Sequence, residues 1–270
     1  VSNFLDRVLK TGDSELPMPL RIAENDSVLY WWMALDMYRE ISTDLELGRE
    51  TVFIVPVGPV YQYRYLLDLL TALPLNLSHL HLFFMDEYLD ENDNLISVDH
   101  PLSFRGFIGR ELKSIIDGAF GFQKRQLHFP TPSAAESYDE NLKNLGGATV
   151  CYAGVGINGH LAFNEAPSPK NSPSRIISLT PETITTNSHT SLGGAYERIP
   201  KRAVTVGMES ILASERLSIW MNRPWQKTVV RKLLFGPIGS EFPASYARKH
   251  TAASLTVTAE VAEVPQFGLR

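Results

Sequence analysis

Two short stretches carry side chains that could move protons. One is Gly154-Val155-Gly156-Ile157-Asn158-Gly159-His160-Leu161-Ala162-Phe163-Asn164-Glu165, where a histidine and a carboxylate stand five residues apart behind three glycines. An imidazole titrates near neutrality, and a carboxylate beside it can orient the ring and support its charged form. The other is Asp86-Glu87-Tyr88, two adjacent carboxyls at the end of an apolar run. A carboxyl whose burial lifts its pKa toward working pH suits general acid or base chemistry.

The glycines admit two readings. Gly154-x-Gly156-x-x-Gly159 formally matches the dinucleotide fingerprint, which needs a helix to follow directly. Pro167, Pro169 and Pro173 interrupt the following residues, so no long crossover helix is expected there. The other reading is a tight turn after the strand Ala148 to Ala153, and such a turn has no need of His160, Asn164 or Glu165.

Further candidates are less specific. Gly58-Pro59 joins a strand over 51–57 to a helix over 60–73, and such a junction can offer free N–H groups to a phosphate. It has one glycine, a proline at the first helical position and no Ser or Thr, so a plain connection fits as well. His79 and His81 share a strand face without a third ligand nearby, so no metal site is expected. The acidic loop 89–99, with Asp90, Glu91, Asp93 and Asp99, does not have calcium-loop spacing. Trp31 and Trp32 are read as packing residues of an amphipathic helix.

The elements that must position these residues alternate along the chain. Short β-branched or apolar runs at 51–57, 80–85, 148–153, 175–179, 203–207, 217–221 and 255–257 predict strands, the last closing the sheet. Helical spacing covers 25–41 with Asn25 or Asp26 as N-cap, then 60–73, 103–116, 133–145, 226–235 and 243–249, with a helical turn at 208–213. Residues 1–23 are expected to be an irregular arm or short helix, and the Ser/Thr-rich stretch 180–198 a loop over the site or a subunit contact. Together these predict an α/β fold: one mostly parallel sheet with helices on both faces, in a single domain over 1–270.

Composition narrows the function. With 44% hydrophobic residues, the 270-residue chain can bury a sizeable core. A net charge of −5 weighs against a nucleic-acid or anionic-membrane partner. No run approaches the roughly 18–20 apolar residues of a membrane helix, and the first residues lack the basic-then-apolar pattern of a secretory leader. Cys151 is the only cysteine, which excludes an internal disulfide; a cytoplasmic location is expected.

Taken in order, Met85-Asp86-Glu87-Tyr88, His100-Pro101 with Ser103-Phe104, and Gly154 to Glu165 followed by Pro167-Ser168 resemble the glucosamine-6-phosphate deaminase/isomerase family, itself related to the 6-phosphogluconolactonases. Weaker matches are Val204 to Met208 with Ile211-Leu212, Lys227, and Pro243-Ala244-Ser245, so the resemblance spans about residues 50–258. It implies a modified Rossmann-like fold and deamination with isomerisation of an amino sugar phosphate. Asp86 would move a proton between C2 and C1. His160, with Asn158 and Glu165 beside it, would open the sugar ring. Gly58, Glu87, Gly159, His189 and Lys227 would contact the substrate, Lys227 meeting the phosphate and Glu87 supporting its loop.

The resemblance implies no metal and no organic cofactor, a small sugar or sugar phosphate as ligand, and a homo-oligomer. The chain departs from the family where Val57-Gly58-Pro59-Val60-Tyr61 replaces a Gly/Ser/Thr-rich phosphate loop. It departs again where His189 stands in place of an arginine, and where Asn158 stands in place of a frequent aspartate. The phosphate contacts thus diverge more than the acid/base residues do. Two rival readings are lactone hydrolysis and a non-catalytic sugar-binding regulator.

Overall fold

A computed structural model describes residues 3–58 and 61–268. In chain order the elements are β1 (Leu20–Ala23), α1 (Asp26–Leu47), β2 (Thr51–Val55), α2 (Gln62–Ala72), β3 (Leu80–Phe84), β4 (Asp86–Leu89), α3 (Phe104–Glu111), α4 (Lys113–Ile116), β5 (Leu127–His128) and α5 (Ala135–Asn144). They continue with β6 (Val150–Ala153), β7 (Arg175–Ser178), α6 (Pro181–Ser191), β8 (Arg202–Thr205), α7 (Met208–Leu212), β9 (Arg216–Met221), α8 (Gln226–Phe235), β10 (Ala253–Thr258) and α9 (Ala259–Ala262). Pro59 and Val60, part of the expected phosphate junction, lie outside the described residues.

Seven strands form one sheet in the order β1-β10-β9-β6-β2-β3-β5, and every pairing in it is parallel. Side chains alternate across a strand, so each contributes to two cores. On β2, Val52 and Ile54 join residues of α5, α7, α8 and α9 on one face, while Phe53 and Val55 join Leu29, Met33, Met37, Leu66 and Leu70 of α1 and α2 on the other. The near-continuous apolar runs of β2 and β6 follow from burial on both faces.

The helix ends follow local chemistry. Asn25 Oδ1 accepts from Val28 N at 3.1 Å, capping α1, a contact worth about 1 kcal/mol. Gly48, at φ 66°, closes the same helix in the left-handed conformation that a side chain would resist.

A second sheet, in the order β4-β8-β7, is antiparallel and holds a smaller core of Tyr88, Phe163, Leu179, Ile184 and Ala203. Three expectations change here. The carboxyl stretch after β3 is itself a strand: Met85 hands the chain from one sheet to the other, its N–H donating to Val55 O at 3.1 Å and its carbonyl accepting from Val206 N at 2.7 Å. The strands expected at 175–179 and 203–207 belong to this second sheet. The stretch 180–198, expected as a loop, holds helix α6, with Thr180 as N-cap and Pro181 at its first turn.

Expectations near the two ends of the chain also change. The arm 1–23 is not irregular throughout, because β1 pairs with β10 and forms the sheet edge. Strand β10, expected to close the sheet, is therefore interior. Residues 243–249 form a 3-10 helix.

Candidate active site

The carboxyl ends of β9, β6, β2 and β3 open onto a cavity of about 260 Å³. Open α/β sheets characteristically place ligands at this edge. Asp86 and His160 both line the cavity, as do Gly58, Gly154 and Gly156. The two stretches singled out in the sequence as candidates for proton transfer therefore line one space.

His160 is held by the turn that precedes it. Gly156 N donates to His160 O at 3.0 Å, and Gly159 N donates to Gly156 O at 2.9 Å. A Cβ on Gly156 would fall 2.0 Å from His160 Nε2, so the ring lies directly on that glycine. Gly159 has φ +88°, and a Cβ there would sit 2.4 Å from the Phe242 ring. Both glycines are required by close approach, and no helix follows them, so the dinucleotide reading of the motif falls.

The imidazole is oriented through Asn158. Asn158 Oδ1 lies 2.8 Å from His160 Nδ1, and Asn158 Nδ2 donates to Glu165 Oε2 at 2.5 Å. The reversed amide would face its oxygen to the carboxylate, so the network assigns Nδ1 as the protonated nitrogen and leaves Nε2 as the basic one. Glu165 Oε2 is itself 3.4 Å from Nδ1. Burial pushes the Glu165 carboxyl upward, but hydrogen bonding and charge from His160, with hydrogen bonds from Asn158 and Thr183, outweigh it and bring it down to about 2. Thr180 adds a hydroxyl contact to Glu165 Oε2 at 3.2 Å.

Asp86 is 7% exposed, and its carboxyl makes no hydrogen bond to a described residue. Burial, with the neighbouring Glu87 charge adding to it, pushes its pKa up to about 8. Asp86 pairs across the second sheet with Thr205, whose Oγ1 accepts from Phe163 N at 3.0 Å. That hydroxyl ties the Asp86 strand to the His160 loop.

Several sequence candidates lie elsewhere. Glu87 does not reach the cavity: it is fully buried and accepts from Tyr88 N, Ser103 Oγ, Phe104 N, Arg105 N and Arg105 Nε, anchoring the start of α3. Gly159 backs the turn and offers its carbonyl to Ala244 N rather than to the cavity. Lys227 is paired with Glu263 at 2.6 Å and faces a separate hollow toward the C-terminus. His189 is exposed on α6, whose Thr186, Asn187, Thr190 and Ser191 face the cavity. At 100° per residue, His189 sits roughly 130° around the helix from the centre of that face. Asn164 is structural, donating to Leu161 O and Val206 O and accepting from Arg175.

Other cavity residues were missed. Asn187 donates to Tyr88 Oη at 2.8 Å, and Asn222, Arg223 and Gln226 enter from the turn after β9. A Thr-Pro-Glu start at 180–182 is an N-cap signal that could have revealed α6. Nothing local to Asn222-Arg223 marks a site. Among the described residues no group of three or more His, Cys, Asp or Glu could hold a metal ion, and no helix is long and apolar enough to cross a membrane. His81 instead contacts His128 and Glu50.

A parallel α/β sheet with a carboxyl and an imidazole lining one cavity at its carboxyl edge is the arrangement of this chain, and the fold itself is shared with a deaminase and with lactonases of known structure. Over 92% of this chain and all of the other, the structure superposes on a monomeric glucosamine-6-phosphate deaminase, with TM-score 0.81 and 23% identity. Over 90% of this chain and 95% of the other, it superposes on the 6-phosphogluconolactonase of Trypanosoma cruzi, with TM-score 0.67 and 13% identity. No family model matches the sequence. Among curated proteins, the glucosamine-6-phosphate deaminase of Borreliella burgdorferi strain ZS7 is 30% identical over 201 residues, 71% of each chain. That of Thermoanaerobacter pseudethanolicus is 24% identical over 212 residues, 76% of this chain and 79% of the other. The chain belongs to the glucosamine-6-phosphate deaminase family.

Proposed function

We propose that this protein, acting as one domain over 1–270, converts a 2-amino-2-deoxyhexose 6-phosphate and water to a ketose phosphate and ammonia. The observation that carries this reading is the placement of Asp86 and His160 on one cavity. His160 Nε2 shuttles a proton between the anomeric hydroxyl and the ring oxygen, opening the pyranose; Asn158 and Glu165 support the charged ring. The carboxylate of Asp86 takes the C2 hydrogen, the electron pair forms the C1=C2 bond, and the aldehyde oxygen takes up a proton. Return of the proton at C1 leaves an imine at C2. Water adds to C2, the C–N bond breaks, and a carbonyl remains. An ammonium at C2 favours the ionised form of a nearby carboxyl, so an amino sugar helps to prepare its own base.

Lactone hydrolysis has less use for a buried carboxyl on the same cavity as the histidine, which favours the deaminase reading. Incubation with glucosamine-6-phosphate, following ammonia and ketose together, tests it. Stoichiometric release of both is the expected result. Ligand binding without turnover would instead support a sugar-binding regulator.

A further inference from the structure

We propose that Arg223 is the anchor for the substrate's phosphate, a role that the family resemblance gave to Lys227; this rests on the deaminase reading above. Among the described residues that line the cavity, Arg223 is the one permanently charged cation. Its guanidinium makes no hydrogen bond or ion pair with any described residue, whereas Lys227 is already neutralised by Glu263. A planar guanidinium suits two parallel hydrogen bonds to phosphate oxygens.

The turn that carries Arg223 is fixed from both sides. The buried Gln226 amide accepts from Arg223 N at 2.8 Å and donates to Val155 O at 2.7 Å, joining this turn to the His160 loop. Asn222 Nδ2 donates to Tyr30 Oη at 2.9 Å. The turn is thereby held while the Arg223 side chain is exposed. Along the sheet edge, Arg223 follows β9 and Asp86 follows β3, with β6 and β2 between them. Three strand spacings separate those ends by about 14 Å. An open six-carbon chain with a terminal phosphate, met by an extended arginine, fits a span of that order: C1 and C2 lie at Asp86 and the phosphate at the mouth.

The test compares wild type, R223Q, R223K and K227Q on glucosamine-6-phosphate and on glucosamine. Titration calorimetry with glucose 6-phosphate runs in parallel and does not depend on turnover. R223Q should raise KM for the phosphorylated sugar about 10- to 100-fold with kcat little changed, and R223K should recover part of the loss. The KM for glucosamine should not move, and K227Q should match wild type. The same loss should appear in glucose 6-phosphate affinity. Failure of wild type to deaminate, together with Arg223-dependent binding, overturns the proposed reaction and leaves the anchor standing. An R223Q protein with wild-type KM and affinity, or a wild type that does not bind glucose 6-phosphate, overturns the anchor.

Discussion

Asn158 stands between Glu165 and His160, its amide nitrogen on the carboxylate at 2.5 Å and its oxygen 2.8 Å from His160 Nδ1. The carboxylate therefore reaches the imidazole both directly, at 3.4 Å, and through a neutral amide relay. Replacing Asn158 by leucine leaves the partly buried Glu165 and His160 short of a partner each, at a cost of about 1–3 kcal/mol per group. We expect N158L to lose at least tenfold in kcat with a smaller change in KM. N158D, which can still accept from Nδ1, should retain more activity. Steady-state kinetics on an amino sugar phosphate read both, and equal activity of the two variants would remove the relay from the mechanism.

Asp86 sets a pH dependence with a definite sign. Its carboxyl is raised from 3.8 to about 8 in the folded protein, so between those values the folded state holds a proton that the unfolded chain has released. Its contribution to stability is fully present below pH 3.8 and is lost as pH rises through 8. Urea unfolding of wild type and D86N over that range should differ by this slope alone. The proposed base role needs the ionised form, so kcat/KM should climb with pH toward 8 and then level. D86N should lose about 10²- to 10⁴-fold in turnover while still binding ligand.

Glu87 acts on the scaffold and on its neighbour. Its carboxylate accepts three backbone N–H groups, a hydroxyl and the Arg105 guanidinium, so E87L strands all five. Removing one partner from such a buried network costs about 3–5 kcal/mol, visible as a lower urea midpoint. The Glu87 charge also helps to hold Asp86 high, so E87Q should move the acid limb of the activity profile below pH 8.

His128 confers acid sensitivity at the sheet edge. Its ring stacks on Phe83 with centroids 4.0 Å apart and meets His81 Nδ1 at 3.2 Å. Burial, and then the charge of His81, bring it from 6.5 down to about 4. The unfolded chain binds this proton first, so stability falls as pH drops from 6.5 toward 4. H128F should flatten that part of the stability curve; an unchanged slope would place the effect elsewhere.

Much of the fold was readable because its signals are local. Apolar runs marked β2, β3, β6 and β9, and Asn25 marked the start of α1. Helix α6 escaped because its Thr- and Ser-rich sequence has low helical propensity, and packing of Ile184 against the second core overrides it. The division into two sheets escaped for a different reason. A strand's pattern records how much of it is buried, not which strand it pairs with, and β4 runs on from β3 with only Met85 between.

The sequence by itself determined which residues are candidates for acid/base chemistry and the turn that carries His160, because glycine spacing, imidazole and carboxyl types are written within short stretches. Tertiary structure alone decided which cations and carboxyls line the cavity. Neighbours on one helix point 100° apart, so Gln226 enters the cavity while Lys227 turns to Glu263. Glu87 and Asp86, adjacent on one strand, face opposite sides for the same kind of reason. Arg223 gains its place only when the ends of β9, β6, β2 and β3 are brought side by side.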